Sequence, residues 1–166
     1  MQVLSKQRGD DFLTQKNLFI KCLMVWIFLG VITHNASSQA LNIEQVIPLL
    51  DQAYIELEND NFTRAMEIVN SAILRGMDNR YLEAEAYFIR SNVYLDIWQL
   101  DRALNDILHT MSIFSDFAPF HELLSIIYSR MGRYFDALQA INRAIALDSL
   151  KLNFFINRAD VYSVCL

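Results

Sequence analysis

Only four glycines and two prolines occur in 166 residues, too few to punctuate an architecture of many short strands and tight turns. Long helices with short connections suit such a chain, because Gly and Pro are the residues that interrupt them. Histidine is equally scarce. The two that follow residue 40, His109 and His121, have no ligand-type partner at i, i+4, so no zinc-binding helix of the H-E-x-x-H kind exists. The only glycines after residue 40 are Gly76 and Gly132, which excludes a glycine-rich phosphate loop, and no G-x-S-x-G elbow occurs. A basic excess is missing too: the formal net charge is −5, whereas a nucleic-acid surface must neutralise phosphates. These absences argue against an enzyme, a metal, a cofactor and a nucleic-acid partner.

What the chain does have is apolar residues, 54% of the total, enough to bury a core and too many for a disordered segment. Its charge is uneven. Residues 1–40 carry a local +2, from Lys6, Arg8, Lys16 and Lys21 against Asp10 and Asp11, so the remainder carries −7. Residues 22–33 form an uncharged apolar run, shorter than the roughly 18–20 residues that cross a bilayer as a stable helix. Basic residues precede the run and a small polar stretch, 34–40, follows it, which is the order of an export signal cut after Ala40, or alternatively after Ser38. The alternative is a retained membrane anchor over residues 18–33, interrupted by Lys21. Residues 1–40 are therefore expected to be a signal peptide or signal anchor, and 41–166 the folded domain. After that cut Cys165 is the only cysteine left, and no internal disulfide is expected.

From Leu41 onward apolar residues recur at three and four, the helical period. They predict seven helices, at about residues 43–58, 61–75, 81–97, 99–114, 118–131, 134–147 and 151–164. Short connections force consecutive helices to pack antiparallel. Asn61, and Asp116 or a neighbour, are candidate N-caps. Gly76 is expected to close the second helix, and Gly132 to turn the fifth into the sixth. A longer period overlies this one. Leu100, Ala103, Leu104 and Ile107 recur 34 residues later as Tyr134, Ala137, Leu138 and Ile141, and Tyr94 recurs as Tyr128 and Tyr162. Such a repeat marks stacked helical hairpins rather than one closed core. From Ala65 to Ala103 the step is 38, and the four extra residues are expected in a longer connection around 76–81.

In residues 118–151 the recurring places hold His121, Leu124, Ser125, Tyr128, Ala137, Ile141, Ala144 and Ser149. In 84–117 they hold Tyr87, Arg90, Ser91, Tyr94, Ala103, Ile107, Thr110 and Ser115. Together with the turn Gly132-Arg133-Tyr134-Phe135-Asp136-Ala137-Leu138, this pattern resembles the tetratricopeptide repeat. There, small residues let helix axes approach and bulky ones fill the grooves opposite. Arg90 and Thr110 depart from the pattern, standing where the family has Leu and Ala. The resemblance implies an all-α solenoid of antiparallel helix hairpins, about three and a half repeats. They fall at about 46–79, 84–117 and 118–151, with a partial one at 152–166.

The resemblance also implies a binding mode. In tetratricopeptide proteins the first helices line an inner face that holds an extended or helical peptide. Carried over, that face offers Tyr54, Glu85, Phe88, Asn92, Asp96, Glu122, Ile126, Arg130, Asn153 and Asp160. Phe88 and Tyr54 are candidate aromatic anchors, and Asn92 a candidate partner for a peptide backbone. The plainer alternative is that each packs the groove wall or faces water. The acids among them point to a protein or peptide partner that is neutral to basic, and would repel the acidic C-terminal tails some members clamp. Glu83 with Glu85, and Glu56 with Glu58, are spaced i, i+2 and read as solvated surface. His121 reads as packing. The expected function is an exported interaction scaffold, periplasmic or secreted. The alternative is the sensory input region of a longer membrane signalling protein.

Overall fold

In the computed structural model, which describes residues 40–165, the helical periodicity resolves into seven α-helices. They are α1 (Ile43–Glu58), α2 (Phe62–Arg75), α3 (Arg80–Asp96), α4 (Leu100–Ile113), α5 (Ala118–Arg130), α6 (Tyr134–Leu147) and α7 (Leu152–Cys165). Every end lies within one residue of its expected place. The expected signal or anchor segment falls outside the described residues.

The three hairpin turns are built alike. Asp60, Trp98 and Gly132 adopt left-handed backbone, with φ of 57°, 61° and 75°. The following N–H then reaches back over the helix end: Asn61 to Glu56 O, Gln99 to Tyr94 O and Arg133 to Tyr128 O, each at 2.8 Å. This is the Schellman closure, which satisfies carbonyls a helix end leaves free. The same three residues open the next helix, their carbonyls accepting from the N–H groups of Ala65, Ala103 and Ala137 at 3.0 Å. One residue thus ends one helix and starts another, which fixes the hairpin angle. Of the three left-handed positions, only Gly132 carries no Cβ penalty.

The expected caps need correction. Asn61 stands at the N-cap position of α2 as expected but makes no side-chain cap bond; its Nδ2 donates to Glu56 Oε2 at 2.8 Å. Asp116 does not cap α5, whose N-cap position is Phe117; its carboxylate accepts instead from Arg143 at 3.2 Å. The side-chain caps are Asn42, in a capping box with Gln45 on α1, and Asn79, which accepts from Tyr81 and Leu82 N–H on α3.

Asn79 also explains where the period breaks. The link 76–79 is no longer than 114–117 or 148–151, so the four extra residues are not a longer connection. Instead α3 has 17 residues where α5 has 13. The insertion is an added turn of helix, residues 80–83, at the start of α3. Four residues make about one turn, and a good N-cap lets the helix begin that much earlier.

Gly76 ends α2 as expected, with φ 77° and ψ 161°, a region open essentially to glycine alone. Its carbonyl accepts from Leu41 N–H at 2.8 Å, beside an isolated parallel bridge between Leu41 and Met77. Gly76→Ala is expected to destabilise by about 1–3 kcal/mol, read as a lower urea midpoint. An unchanged midpoint would mean the backbone relaxes at no cost.

Packing follows the small residues. Ala65, Ala72, Ala103, Ala137 and Ala144 are fully buried, and Ser91 and Ser125 donate to Ala103 O and Ala137 O across each hairpin, both at 2.8 Å. His121 is buried, its Nε2 2.9 Å from Ser115 O. Arg90 and Thr110, the two departures from the repeat, meet in one polar network. Arg90 donates from Nε and Nη2 to Asp106 at 2.7 and 2.9 Å, and from Nη1 to Asn70 Oδ1 at 2.9 Å. Thr110 Oγ1 lies 3.0 Å from Asp106 O and 3.1 Å from Ala84 O. Along the array α1 meets α3, α3 meets α5 and α5 meets α7, while the second helices make no comparable contact with one another. The first helices therefore line the inner side of the curve.

Candidate functional site

Two cavities open among the first helices. The larger, about 340 Å³ and open to solvent on one side, is lined by Tyr54 from α1, Tyr81, Ala84, Glu85 and Phe88 from α3, Phe114 and Phe117 from the α4–α5 link, and Phe120 from α5. Helical spacing puts Tyr81, Glu85 and Phe88 on one face of α3, and the added turn supplies Tyr81. The rings brace one another edge to face: Tyr81 on Phe114 at 5.9 Å, Phe114 on Phe120 at 6.3 Å and Phe117 on Phe120 at 4.9 Å. Phe88 leans on Phe120 at 4.9 Å.

Glu85 is the one charged group in this wall. Burial pushes its carboxyl above the ordinary glutamate range, and repulsion from Asp51 adds to the shift. Tyr54 is pushed well above the usual tyrosine range by burial and, secondarily, by Glu85. The expectation of a solvated Glu83–Glu85 pair is thus corrected for both. Glu85 is half-buried, and Glu83, also half-buried, faces His109 at 3.5 Å.

The second cavity, about 270 Å³, lies between α5 and α7 and is lined by Ser125, Ile126, Ser129, Arg130, Asn157, Asp160 and Val161. Arg130 donates from Nη1 to Leu95 O at 2.9 Å and lies over the Trp98 ring at 5.2 Å. Its cation opposes the upward shift that burial gives Asp96, and Asp60 reinforces that shift. Glu122 accepts from Asn157 Nδ2 at 2.8 Å. Burial raises its carboxyl, while Lys151 and that hydrogen bond pull it down.

The structure thus gathers Tyr54, Glu85 and Phe88 at one cavity, and Ile126, Arg130 and Asp160 at the other. Asn92, Asp96, Glu122 and Asn153 line neither. Asn92 spends one of its two amide N–H groups on Phe88 O, 2.9 Å away on its own helix, which leaves one donor and the carbonyl oxygen for a peptide backbone. Tyr81, Phe114, Phe117 and Phe120 were not expected here. The available signal was three phenylalanines within residues 114–120, close in space to a break in the repeat.

No protein-family model matches the sequence, and no curated protein matches it. Solved structures do resemble the fold. The crystal structure of MamA superposes with a TM-score of 0.62 at 16% identity, covering 82% of this chain and 73% of MamA. The Arabidopsis OM64 TPR domain gives 0.63 at 15% identity, covering 72% of this chain and 95% of that domain. The first TPR of Spaghetti (RPAP3), bound to the HSP90 peptide SRMEEVD, gives 0.66 at 8% identity, covering 78% and 97%. The chain folds as a tetratricopeptide-like α-solenoid.

Proposed function

We propose that this chain is a non-catalytic interaction scaffold that holds a neutral or basic segment of a partner protein on its inner face. The observation that carries the reading is the charge along the first helices. Glu85, Asp96 and Glu122 stand on this face with Arg130 as the cation among them, an acidic excess, and desolvation raises each of the three carboxyls. Similar folds hold peptides, as the RPAP3 complex with SRMEEVD does, and this supports peptide binding as the mode. The charge of this groove sets it against so acidic a peptide. If residues 1–40 direct export, the partner is met outside the cytoplasm, in the periplasm or the medium.

The test is a peptide array probed with the full chain at low and high salt. Neutral and basic peptides should be retained, and higher salt should weaken the basic ones, since exposed charge pairs are screened. Reversing the strip with Asp96→Lys and Glu122→Lys should remove the basic preference. An array that favours acidic peptides would defeat the reading.

A further inference from the structure

The aromatic cavity is more than groove wall. One repeat later, the places of Tyr54, Phe88, Phe114 and Phe117 are taken by Asn92, Glu122, Asp148 and Lys151. Glu85 is matched by Pro119, and Tyr81, in the added turn, has no counterpart. Only Phe120 keeps its ring, as the buried Phe154, so repeat packing accounts for one aromatic at this position and not for the four gathered around it.

The chemistry of the cavity selects its occupant. Ring faces carry negative quadrupole charge and attract a cation. The single ionised group in the wall, Glu85, faces no cation within salt-bridge reach among the described residues. A bound carboxylate or phosphate would meet Glu85 and Asp51 with no compensating positive charge in the wall. An apolar side chain would strip more water from Glu85 and give it no partner. A basic side chain satisfies both features, its alkyl stem lying on the rings while its head meets the carboxylate. The braced rings leave the cavity formed in advance, which lowers the ordering cost of binding.

We propose that this cavity receives one lysine or arginine side chain of the partner, with the stem against Phe88 and Phe117 and the cationic head at Glu85. The assignment rests on the groove-binding reading and gives it an anchor residue.

The probe is a short Gly-Ser peptide, blocked at both ends, carrying one central arginine; its controls carry citrulline, leucine or glutamate. Titration of the isotopically labelled full chain should give saturable shifts at Tyr54, Phe88 and Phe117 with the arginine peptide. Citrulline, alike in shape but neutral, should bind about fivefold or more weakly. Glu85→Gln should remove the difference between the two, and Phe117→Ala, at an exposed position, should weaken both stem contacts without touching the charge. Equal binding of citrulline or leucine would overturn the proposal, as would an arginine preference that survives Glu85→Gln. Shifts confined to Asp96, Glu122 and Asp160 would also overturn it while leaving the groove-binding reading intact. Absence of inner-face shifts with every peptide, including binders from the array, would defeat both.

Discussion

Arg90→Ala is expected to cost about 3–5 kcal/mol, a large share of the 5–15 kcal/mol that typically holds a domain together. The loss comes from what is left behind more than from the missing contact. Asp106 has a side chain only 9% exposed, and its partner Arg90 is 17% exposed. Without the guanidinium, the buried carboxylate keeps no side-chain or backbone donor among the described residues, and Asn70 loses its hydrogen-bond donor as well. The repeat itself supplies the control. One junction later, the places of Asn70, Arg90 and Asp106 hold Leu108, Leu124 and Ala140, an apolar solution on the same backbone. Transplanting it whole, as Asn70→Leu, Arg90→Leu and Asp106→Ala, should return most of the lost stability, because removing every charge removes the desolvation problem. Urea midpoints of the single and triple variants decide the matter. A triple variant no better than Arg90→Ala would mean the network cannot be exchanged between junctions.

The second large effect is at Phe154. This side chain is 1% exposed and packs against Ala118, Ile141 and Ala144, so it is the main plug between α7 and the rest of the array. Truncation to alanine should cost about 3–5 kcal/mol, but the loss should be local. Each hairpin of a solenoid contacts only its neighbours, so α7 should open while α1–α4 stay closed. Hydrogen exchange should show protection lost over residues 152–164 and kept in the first four helices, and trypsin should cut at Arg158. The neighbouring Phe155, 37% exposed, serves as the comparison: its replacement by alanine should leave α7 protected. Uniform loss of protection along the chain would refute the modular picture.

Helix positions and hairpin order were legible because burial repeats at two periods at once. The 3.6-residue period marks the helix faces, and the 34-residue recurrence of Ala103 and Tyr94 marks the stacking. Both signals come from packing, which a sequence displays openly. What stayed hidden depends on alternatives of nearly equal local energy. Four extra residues after Gly76 fit a longer loop or a longer helix equally well, and only the Asn79 cap decides between them. Asn61 has the right residue type for a cap, yet Glu56 claims its side chain. Arg90 and Thr110 looked like two separate departures from the repeat, because Asp106, which joins them, shares α4 with Thr110 but meets Arg90 only across the hairpin. The cavity was half visible: Tyr54, Glu85 and Phe88 follow from first-helix geometry, whereas Phe114, Phe117 and Phe120 enter from a link whose path no periodicity describes.

The added turn at the head of α3 also bears on how such an array can diversify. Four residues advance a helix by about 400°, so everything downstream stays within roughly 40° of its former orientation. An insertion of two residues, about 200°, would have swung Tyr94 and its neighbours off the buried face. Whole-turn lengthening is thus a nearly silent change for the scaffold and a productive one for its surface. It adds a projecting side chain at a helix mouth while every hairpin beyond keeps its register. A lineage of such proteins can add a side chain to a groove in one step without disturbing the hairpins beyond it.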